Sequence, residues 1–238
     1  MMTTQLPDEN GLIREVKIKN KPLPVVDEYK FSRTAFAAAH IVSDPFKTPN
    51  PVEDVAIDWE KTIQYRRYLW SLGLGVAEAM DTAQRGMGLD WKNARQLIRH
   101  SIAASKDFPS ARLASGCGTD HLTFNSNTTI NEIVSAYEEQ VNFVQQLGGQ
   151  TIIMASRALA AVATSPDDYH FVYGKILSQL DQPAILHWLG EMFDPALAGY
   201  WGSPNHREAM ETLLAIIEQH QDKIDGVKIS LLLSLIHI

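Results

Sequence analysis

The chain has 238 residues, of which 45% are hydrophobic and 21% charged, and its formal net charge at pH 7 is −7. This length suits one large domain or two small ones. The acidic balance, without a cluster of lysine and arginine, argues against a nucleic-acid-binding surface.

The single cysteine, Cys117, excludes an internal disulfide framework and suits a reducing compartment. Residues 1–10 are polar and acidic and do not resemble a secretion signal. No apolar stretch reaches the roughly 18 residues that a membrane span needs. We therefore expect a cytoplasmic protein that binds neither membranes nor nucleic acid.

Residues 1–32 are predicted to form an N-terminal extension. Two short apolar segments, 12–18 and 23–26, are separated by the sequence Lys-Asn-Lys-Pro. This arrangement predicts a short β-hairpin between the two segments.

From residue 33 onward, short apolar runs alternate with amphipathic helical patterns. The runs begin about 30 to 42 residues apart, near 34–42, 75–81, 111–117, 151–156, 183–188 and 225–230. Alternation of this kind predicts parallel strands connected by crossover helices.

The intervening segments carry recognisable helix-start signals. Asp90 is placed to cap the second helix, and Thr129 with Glu132 forms a capping box for the third. Ser165 followed by Pro166 predicts the start of the fourth helix. The fifth helix is predicted to open at 203–204, which reads Ser-Pro. The pattern thus predicts six strands and five intervening helices.

Two architectures fit this series, a doubly wound open sheet and a (β/α)₈ barrel. A nucleotide-binding open sheet usually shows Gly-x-Gly-x-x-Gly after its first strand, whereas residues 39–44 read Ala-His-Ile-Val-Ser-Asp. The lone Gly-x-Gly at 116–118 is too weak a signal to replace it. We therefore predict an incomplete barrel of about six of the eight units over residues 33–232.

The active site of such a barrel lies at the carboxyl ends of its strands. The polar residues predicted there are His40, Glu78, Asp81, Thr82, Thr119, Asp120, His121, Ser156, Arg157, His187 and Lys228. His40 and His187 are equally consistent with hydrogen-bonded strand-end histidines, and Asp120 with a turn residue. Cys117 is interpreted as a small core residue rather than a nucleophile.

Lys228 differs from these because it lies inside the last predicted strand. Strand alternation puts Val227 and Ile229 on one face and Lys228 and Ser230 on the other. If the first face meets the helices, Lys228 points into the barrel. Burial there lowers the ammonium pKa from its usual ~10.4 and gives a nucleophilic amine, as Schiff-base chemistry requires. The alternative is a lysine at the barrel rim that is paired with a carboxylate such as Glu78.

These segments resemble the dihydrodipicolinate synthase and N-acetylneuraminate lyase family. Residues 113–120, Leu-Ala-Ser-Gly-Cys-Gly-Thr-Asp, are similar to the third strand of that family and the loop after it. Residues 165–190 resemble its fourth helix and fifth strand, and 226–228, Gly-Val-Lys, matches the strand with the Schiff-base lysine. Order and spacing agree over about residues 33–230. More narrowly, the chain resembles a branch of the family described as a domain of unknown function.

The resemblance implies a class I aldolase or lyase that acts on a small molecule, needs no cofactor and forms a homo-oligomer when full length. Lys228 would condense with a 2-oxo acid such as pyruvate, and the enamine would make or break a carbon–carbon bond. His187 and Ser156 are the other expected catalytic residues. The expected substrate-binding residues are Asp81, Thr82, Gly118, Thr119, Arg157 and His40.

The chain departs from the family after its second strand. The family binds the carboxylate of the 2-oxo acid with a Gly-Thr-Thr-Gly-Glu run, whereas residues 80–84 read Met-Asp-Thr-Ala-Gln. Only Thr82 matches, and the charge of Asp81 would repel a carboxylate.

A second departure follows the fourth strand, where the family has a proton-relay tyrosine and residues 155–157 read Ala-Ser-Arg. Ser156 or His187 is the expected substitute. Arg157 is suited either to a bidentate contact with a carboxylate or phosphate or to an ion pair with an acid on a neighbouring loop.

Two other functions fit the same residues. A divalent-metal isomerase or hydrolase would use Glu78, Asp81, His121 and His187 as ligands. A non-catalytic barrel that binds a small molecule would explain the missing tyrosine.

The last predicted strand is not followed by a seventh or eighth. Residues 233–238, Leu-Ser-Leu-Ile-His-Ile, resemble the translation of an adapter used in preparing sequencing libraries. We therefore expect the native sequence to end near Leu232 and the chain to be a fragment.

Overall fold

A computed structural model describes residues 2–18, 31–44, 46–47, 55–86 and 88–230. The chain separates into two compact units, Met1–Lys30 and Phe31–Ile238. Among these described residues, no helix is long and apolar enough to cross a membrane. The predicted adapter segment, 233–238, lies outside them.

The first unit contains an antiparallel hairpin of β1 (Met2–Pro7) and β2 (Ile13–Ile18). Its turn is closed by Asp8, whose Oδ1 accepts hydrogen bonds from the backbone N–H groups of Asn10 and Leu12 at 2.9 and 3.0 Å. The first of the two segments predicted to form a hairpin is β2, which this local turn pairs with the preceding segment. The expected partner, 23–26, lies outside the described residues.

In its described residues, the second unit is built on one parallel sheet of six strands. The strands are β3 (Phe36–Ala38), β4 (Gly75–Glu78), β5 (Leu113–Cys117), β6 (Gln150–Ile153), β7 (Ala184–Trp188) and β8 (Ile224–Ile229). Their order in the sheet follows their order in the chain, and the sheet curls into a half-barrel. A doubly wound sheet would reverse this order part-way, so the preference for the barrel is confirmed. The eight units of a complete barrel remain a prediction.

Six α-helices accompany these strands in the described part of the chain. They are α1 (Trp59–Ser71), α2 (Trp91–Ser105), α3 (Ile130–Gln146), α4 (Arg157–Val162), α5 (Pro166–Ser178) and α6 (His206–Gln219). The predicted N-caps at Asp90 and Thr129 are confirmed. The short helix α4 was not predicted. Helix α6 begins later than the predicted start at Ser203. Its N-cap is Asn205, whose side chain accepts hydrogen bonds from the first free backbone N–H groups of the helix.

Alternating residues of each strand face opposite sides of the sheet. Leu186 and Val227 pack with the helices in the largest apolar cluster. The other face has its own cluster, made of Ala77, Met80, Ala114, Ile152 and Met154. Because strand neighbours alternate, the residues that follow Leu186 and Val227 face the interior of the half-barrel.

Small side chains allow neighbouring backbones to approach closely on this inner face. A Cβ atom added to Gly116 would lie 2.7 Å from the carbonyl oxygen of Ala79, which is shorter than any ordinary contact. Glycine is therefore required at this position, and it brings the loop after β4 against β5.

Candidate active site

The centre of the candidate site is a histidine–lysine pair on neighbouring strands. His187 of β7 and Lys228 of β8 are directly opposite each other in the sheet register. Nε2 of His187 lies 3.1 Å from Nζ of Lys228. The hydroxyl of Ser230 lies 3.1 Å from each of these two nitrogens. Lys228 and Ser230 thus share the inner face, as the alternation of the sequence predicts.

Burial shifts the titration of both partners toward their neutral forms. It lowers the pKa of Lys228, although the carboxylate of Asp81, 3.9 Å from Nζ, opposes the shift. Burial and the neighbouring Lys228 charge lower the pKa of His187 to about 4, again against the effect of Asp81. The imidazole is therefore neutral at pH 7, and its Nε2 atom can accept a hydrogen bond from the amine.

Asp81 follows β4 on a short 3₁₀ helix, Asp81–Ala83. Its Oδ1 atom is buried without a hydrogen-bond partner among the described residues, and it faces Lys228. The loop begins at Ala79, whose φ of 51° is unusual for a residue with a side chain. The predicted role of Thr82 stays a prediction, because its side chain lies outside what the structure describes.

A cavity of about 240 Å³ lies at the carboxyl ends of β4 to β7. Of the predicted site residues, its wall includes Asp81, Gly118, Thr119, Ser156, Arg157 and His187. Lys228 adjoins this wall through its contacts with His187 and Asp81. The structure therefore brings most of the predicted site residues together in space.

Two hydroxyl groups meet on the cavity wall. Oγ1 of Thr119 lies 2.6 Å from Oγ of Ser156, and both residues are buried. Ser156 is the N-cap of α4, since its hydroxyl accepts from the backbone N–H of Leu159 at 3.0 Å. The capping bond fixes the direction of the hydroxyl, so that the Thr119–Ser156 pair is oriented before any ligand binds.

Tyrosines lie behind this hydroxyl pair, although none is close to it in sequence. The hydroxyl of Tyr200 accepts a hydrogen bond from the backbone N–H of Ser156 at 3.1 Å and lies 3.1 Å from the hydroxyl of Tyr173. Burial raises the pKa of both tyrosines. Tyr200 reaches Ser156 from the loop after β7, so a tyrosine is present in space although residues 155–157 contain none. No signal in the local sequence indicated this contact.

A second unpredicted contributor is Arg85, which is buried beside the cavity. Its guanidinium forms a two-bond ion pair with Asp120 and donates to Oε1 of Gln140 at 2.7 Å. Burial is the largest single effect on Asp120 and raises its pKa, but the charge and hydrogen bonds of Arg85 together with the hydrogen bond from Gln140 outweigh it, and the net shift is downward. The same Gln140 oxygen accepts from the backbone N–H of Gly118 at 2.7 Å. This network holds the loop after β5 in place.

Arg157 lies at the mouth of the cavity and is paired in this structure. Its Nε atom donates to Asp194 at 2.5 Å, and its side chain is 43% exposed. Arg157 was predicted either to bind a carboxylate or phosphate or to pair with an acid on a neighbouring loop. The structure contains the second of these, the ion pair with Asp194.

Three other predicted residues do not join this site. The exposed ring of His40 stacks on Tyr65, and its Nδ1 bonds to the carbonyl of Ile41. Glu78 forms a buried ion pair with Arg66. His121 contacts Glu139 and Gln140 away from His187. The prediction that His40 lines the substrate site is therefore not supported by its position.

The four ligands of the alternative metal centre are consequently dispersed. In the part of the chain that the structure describes, no group of three His, Cys, Asp or Glu side chains is arranged to hold a metal ion. Cys117 is fully buried, and burial raises its pKa to about 12, as befits a core residue rather than a nucleophile.

The chain belongs to the family described as "Protein of unknown function (DUF993)". The family model matches residues 4–236. No curated protein matches the chain.

Several solved structures share the fold of this chain. YagE, a prophage protein of the dihydrodipicolinic acid synthase family from E. coli K12 solved with pyruvate, is 13% identical, with a TM-score of 0.60 over 86% of this chain and 56% of that protein. CdNal from Clostridium difficile, solved with mannosamine, is 15% identical, with a TM-score of 0.59 over 85% of this chain and 58% of that protein. Dihydrodipicolinate synthase from Agrobacterium tumefaciens is 14% identical, with a TM-score of 0.56 and coverages of 83% and 58%.

This DUF993 chain therefore spans a little over half the length of those proteins. The likeness confirms the predicted resemblance at the level of the fold. At these identities it does not transfer a reaction, which has to be argued from the site itself.

Proposed function

We propose that this DUF993 protein is a Schiff-base-forming lyase or aldolase that acts on a 2-oxo acid. The observation that supports this most directly is the Lys228 amine, which faces the inside of the half-barrel 3.1 Å from the neutral imidazole of His187. A nucleophilic lysine needs a lowered pKa and a nearby proton acceptor, and Lys228 has both. YagE, which shares the fold, was solved with pyruvate, itself a 2-oxo acid.

The reaction follows from this pair. Nζ of Lys228 attacks the C2 carbonyl of the 2-oxo acid, and His187 accepts a proton as the carbinolamine forms. Loss of water gives an iminium ion, which withdraws electrons from the adjacent carbon. In the cleavage direction, the C4 hydroxyl loses its proton and the C3–C4 bond breaks, leaving an aldehyde and an enamine on Lys228. Protonation of C3 and addition of water then release the shortened 2-oxo acid and the free amine.

The hydroxyl pair of Thr119 and Ser156 is suited to receive the proton that the C4 hydroxyl loses. The two groups are 2.6 Å apart, and only one proton is shared in the bond between them. One of the hydroxyls therefore remains available to a substrate oxygen on the cavity side. Buried, pre-oriented hydroxyls lose little freedom when a substrate binds.

The carboxylate of the substrate is expected to point toward Arg157 and away from Asp81. Both residues line the cavity, and a second negative charge beside Asp81 is unfavourable. Arg157 presents a guanidinium whose present partner, Asp194, is a carboxylate. A substrate carboxylate can take the place of Asp194 with the same geometry.

The proposed reaction needs no metal ion or cofactor, because the iminium ion itself withdraws the electrons. The remaining predictions accompany this proposal: a small-molecule substrate, a cytoplasmic location and a homo-oligomer when full length.

Borohydride trapping tests the proposal. The protein is incubated with pyruvate or another 2-oxo acid, reduced with sodium borohydride, digested and examined by peptide mass spectrometry. A stable adduct on Lys228 is expected, and it should be absent from Lys228→Arg. Lys223→Arg is the matched control, since Lys223 lies just before the same strand, on the 3₁₀ helix Gln221–Lys223, and donates to the carbonyl of Leu180.

The other outcomes separate the alternatives. Absence of an adduct together with activity that a chelator abolishes would favour the metal enzyme. Absence of an adduct with saturable, chelator-insensitive binding of pyruvate would favour the non-catalytic binder. Either result would overturn the Schiff-base proposal.

A further inference from the structure

Three aspartates contribute to the wall of the cavity: Asp81, Asp120 and Asp194. Asp120 forms an ion pair with Arg85, and Asp194 forms an ion pair with Arg157. Asp81 has no arginine partner among the described residues, and its Oδ1 atom is buried without a hydrogen bond. An arginine beside a carboxylate favours the ionised form of that carboxylate. Of these three side chains, Asp81 is therefore the one best able to take up and release a proton.

Asp81 also lies beside the nitrogen that reacts in the proposed function. Its Oδ1 atom is 3.9 Å from Nζ of Lys228, and in the part of the chain that the structure describes no other carboxylate lies within 4.0 Å of this Nζ. The Asp81 side chain is 37% exposed although Oδ1 is buried, so its accessible surface belongs to its other atoms. The carboxylate can therefore face the amine with one oxygen and still contact a ligand in the cavity.

The proposed reaction contains a proton transfer at C3 of the 2-oxo acid, for which a base is needed. C3 is two bonds from Nζ in the iminium ion, and ordinary bond lengths place it about 2.5 Å from that nitrogen. A general base has to come within hydrogen-bond reach of the proton that it moves. The Asp81 oxygen, 3.9 Å from Nζ, meets this requirement for a carbon so close to Nζ.

The charges around the amine favour C3, and not the substrate carboxylate, on the side of Asp81. With the carboxylate at Arg157, C3 is the neighbour of C2 that can approach Asp81 without repulsion. His187 is less suited to this step, because its Nε2 atom already contacts Lys228 and Ser230 and its Nδ1 atom is buried.

We infer that Asp81 is a catalytic residue that carries the proton at C3 of the bound 2-oxo acid, an inference that rests on the proposed function. Its carboxylate takes a proton from C3 of the iminium ion, the C–H electron pair forms the C2=C3 bond of the enamine, and the C2=N electron pair moves onto nitrogen. The reverse step returns the proton to C3. In the cleavage direction, one proton leaves the C4 oxygen for each proton that Asp81 delivers to C3. No oxidant or reductant takes part.

Hydrogen exchange at C3 of pyruvate tests this role without any aldehyde. The protein is incubated with pyruvate in D₂O, and NMR follows the loss of the methyl proton signal while borohydride trapping measures the adduct on Lys228. The unaltered protein should exchange these protons, and Lys228→Arg should not exceed the protein-free rate. Asp81→Asn should still form the adduct but exchange about 100-fold more slowly per adduct. Asp225→Asn is the control, because Asp225 lies on the same strand as Lys228 but bonds to Gln150.

The outcomes separate this inference from the proposed function. An adduct in Asp81→Asn with undiminished exchange would overturn the inference and leave the Schiff base intact. Loss of the adduct in both Asp81→Asn and the smaller Asp81→Ser would also overturn it, because Asp81 would then act before the C3 step. Exchange that depends on Asp81 in a protein without an adduct would support the proton carrier and overturn the Schiff base. If the unaltered protein shows neither adduct nor exchange, both proposals are wrong.

Discussion

His187 and Lys228 are paired by the register of β7 and β8, and their side-chain nitrogens lie 3.1 Å apart. This closeness is therefore a property of the sheet and not of a flexible loop. Groups held on strands lose little entropy when they react, which makes the pair a pre-organised nucleophile and base.

The first prediction concerns His187. His187→Ala should slow borohydride-trapped adduct formation at pH 7 by roughly 100-fold, because the amine loses its proton acceptor. The cavity left by the ring admits water, so the pKa of Lys228 should rise toward its ordinary value and the rate should recover at alkaline pH. Trapping rates measured from pH 6 to 10 report both effects. His170→Ala on α5 is the control, and an unchanged rate in His187→Ala would exclude the histidine from the reaction.

The second prediction concerns the charge of Asp81. The Asp81 carboxylate raises the pKa of Lys228, in opposition to burial, so its neutralisation should let the pKa fall further. The reactive form is the neutral amine, which therefore predominates at a lower pH in Asp81→Asn. The rising limb of the trapping rate should move to lower pH in this variant. Asp225→Asn is the control, since Asp225 lies on the same strand but bonds to Gln150. A shift toward higher pH would contradict the assigned role.

The sequence predicted those parts of the fold that depend on local patterns. The strands of the parallel sheet and the caps at Asp90 and Thr129 follow from hydrophobic periodicity and from side-chain hydrogen bonds within four residues. The inward direction of Lys228 likewise follows from alternation within one strand. Such features need no knowledge of the rest of the chain.

Features that depend on distant segments could not be predicted in this way. The contact of Tyr200 with Ser156 joins residues 44 positions apart, and the contact of Arg85 with Gln140 joins residues 55 apart. From the sequence, Glu78 was predicted either to pair with Lys228 at the barrel rim or to bind a metal ion. Its partner in the structure is Arg66, which lies on α1 and gives no local signal. Long-range polar contacts are set by tertiary packing, which periodicity does not encode.

The third prediction concerns the close approach of β5 to the loop after β4. Gly116→Ala should destabilise the protein by about 1–3 kcal/mol, because the new methyl group would contact the carbonyl of Ala79. Gly226→Ala is the matched control, because no atom lies within 4 Å of its added Cβ. Urea unfolding compares the two, and equal stability would show that the close approach is unimportant.

The fourth prediction compares two ion pairs that begin at adjacent positions of α1. Arg66 pairs with Glu78 in full burial, whereas Arg67 pairs with Asp107 at side-chain exposures of 44% and 58%. The Glu78 carboxylate also accepts a hydrogen bond from the Ser101 hydroxyl at 2.5 Å, so replacing Glu78 leaves several buried donors without an acceptor. Glu78→Gln should therefore cost about 3–5 kcal/mol of unfolding free energy, since an unpaired buried arginine remains. Asp107→Asn should cost less than about 1 kcal/mol, because water replaces the lost partner. Urea midpoints with unchanged slopes measure both differences. Similar losses in the two variants would mean that burial does not govern these pairs.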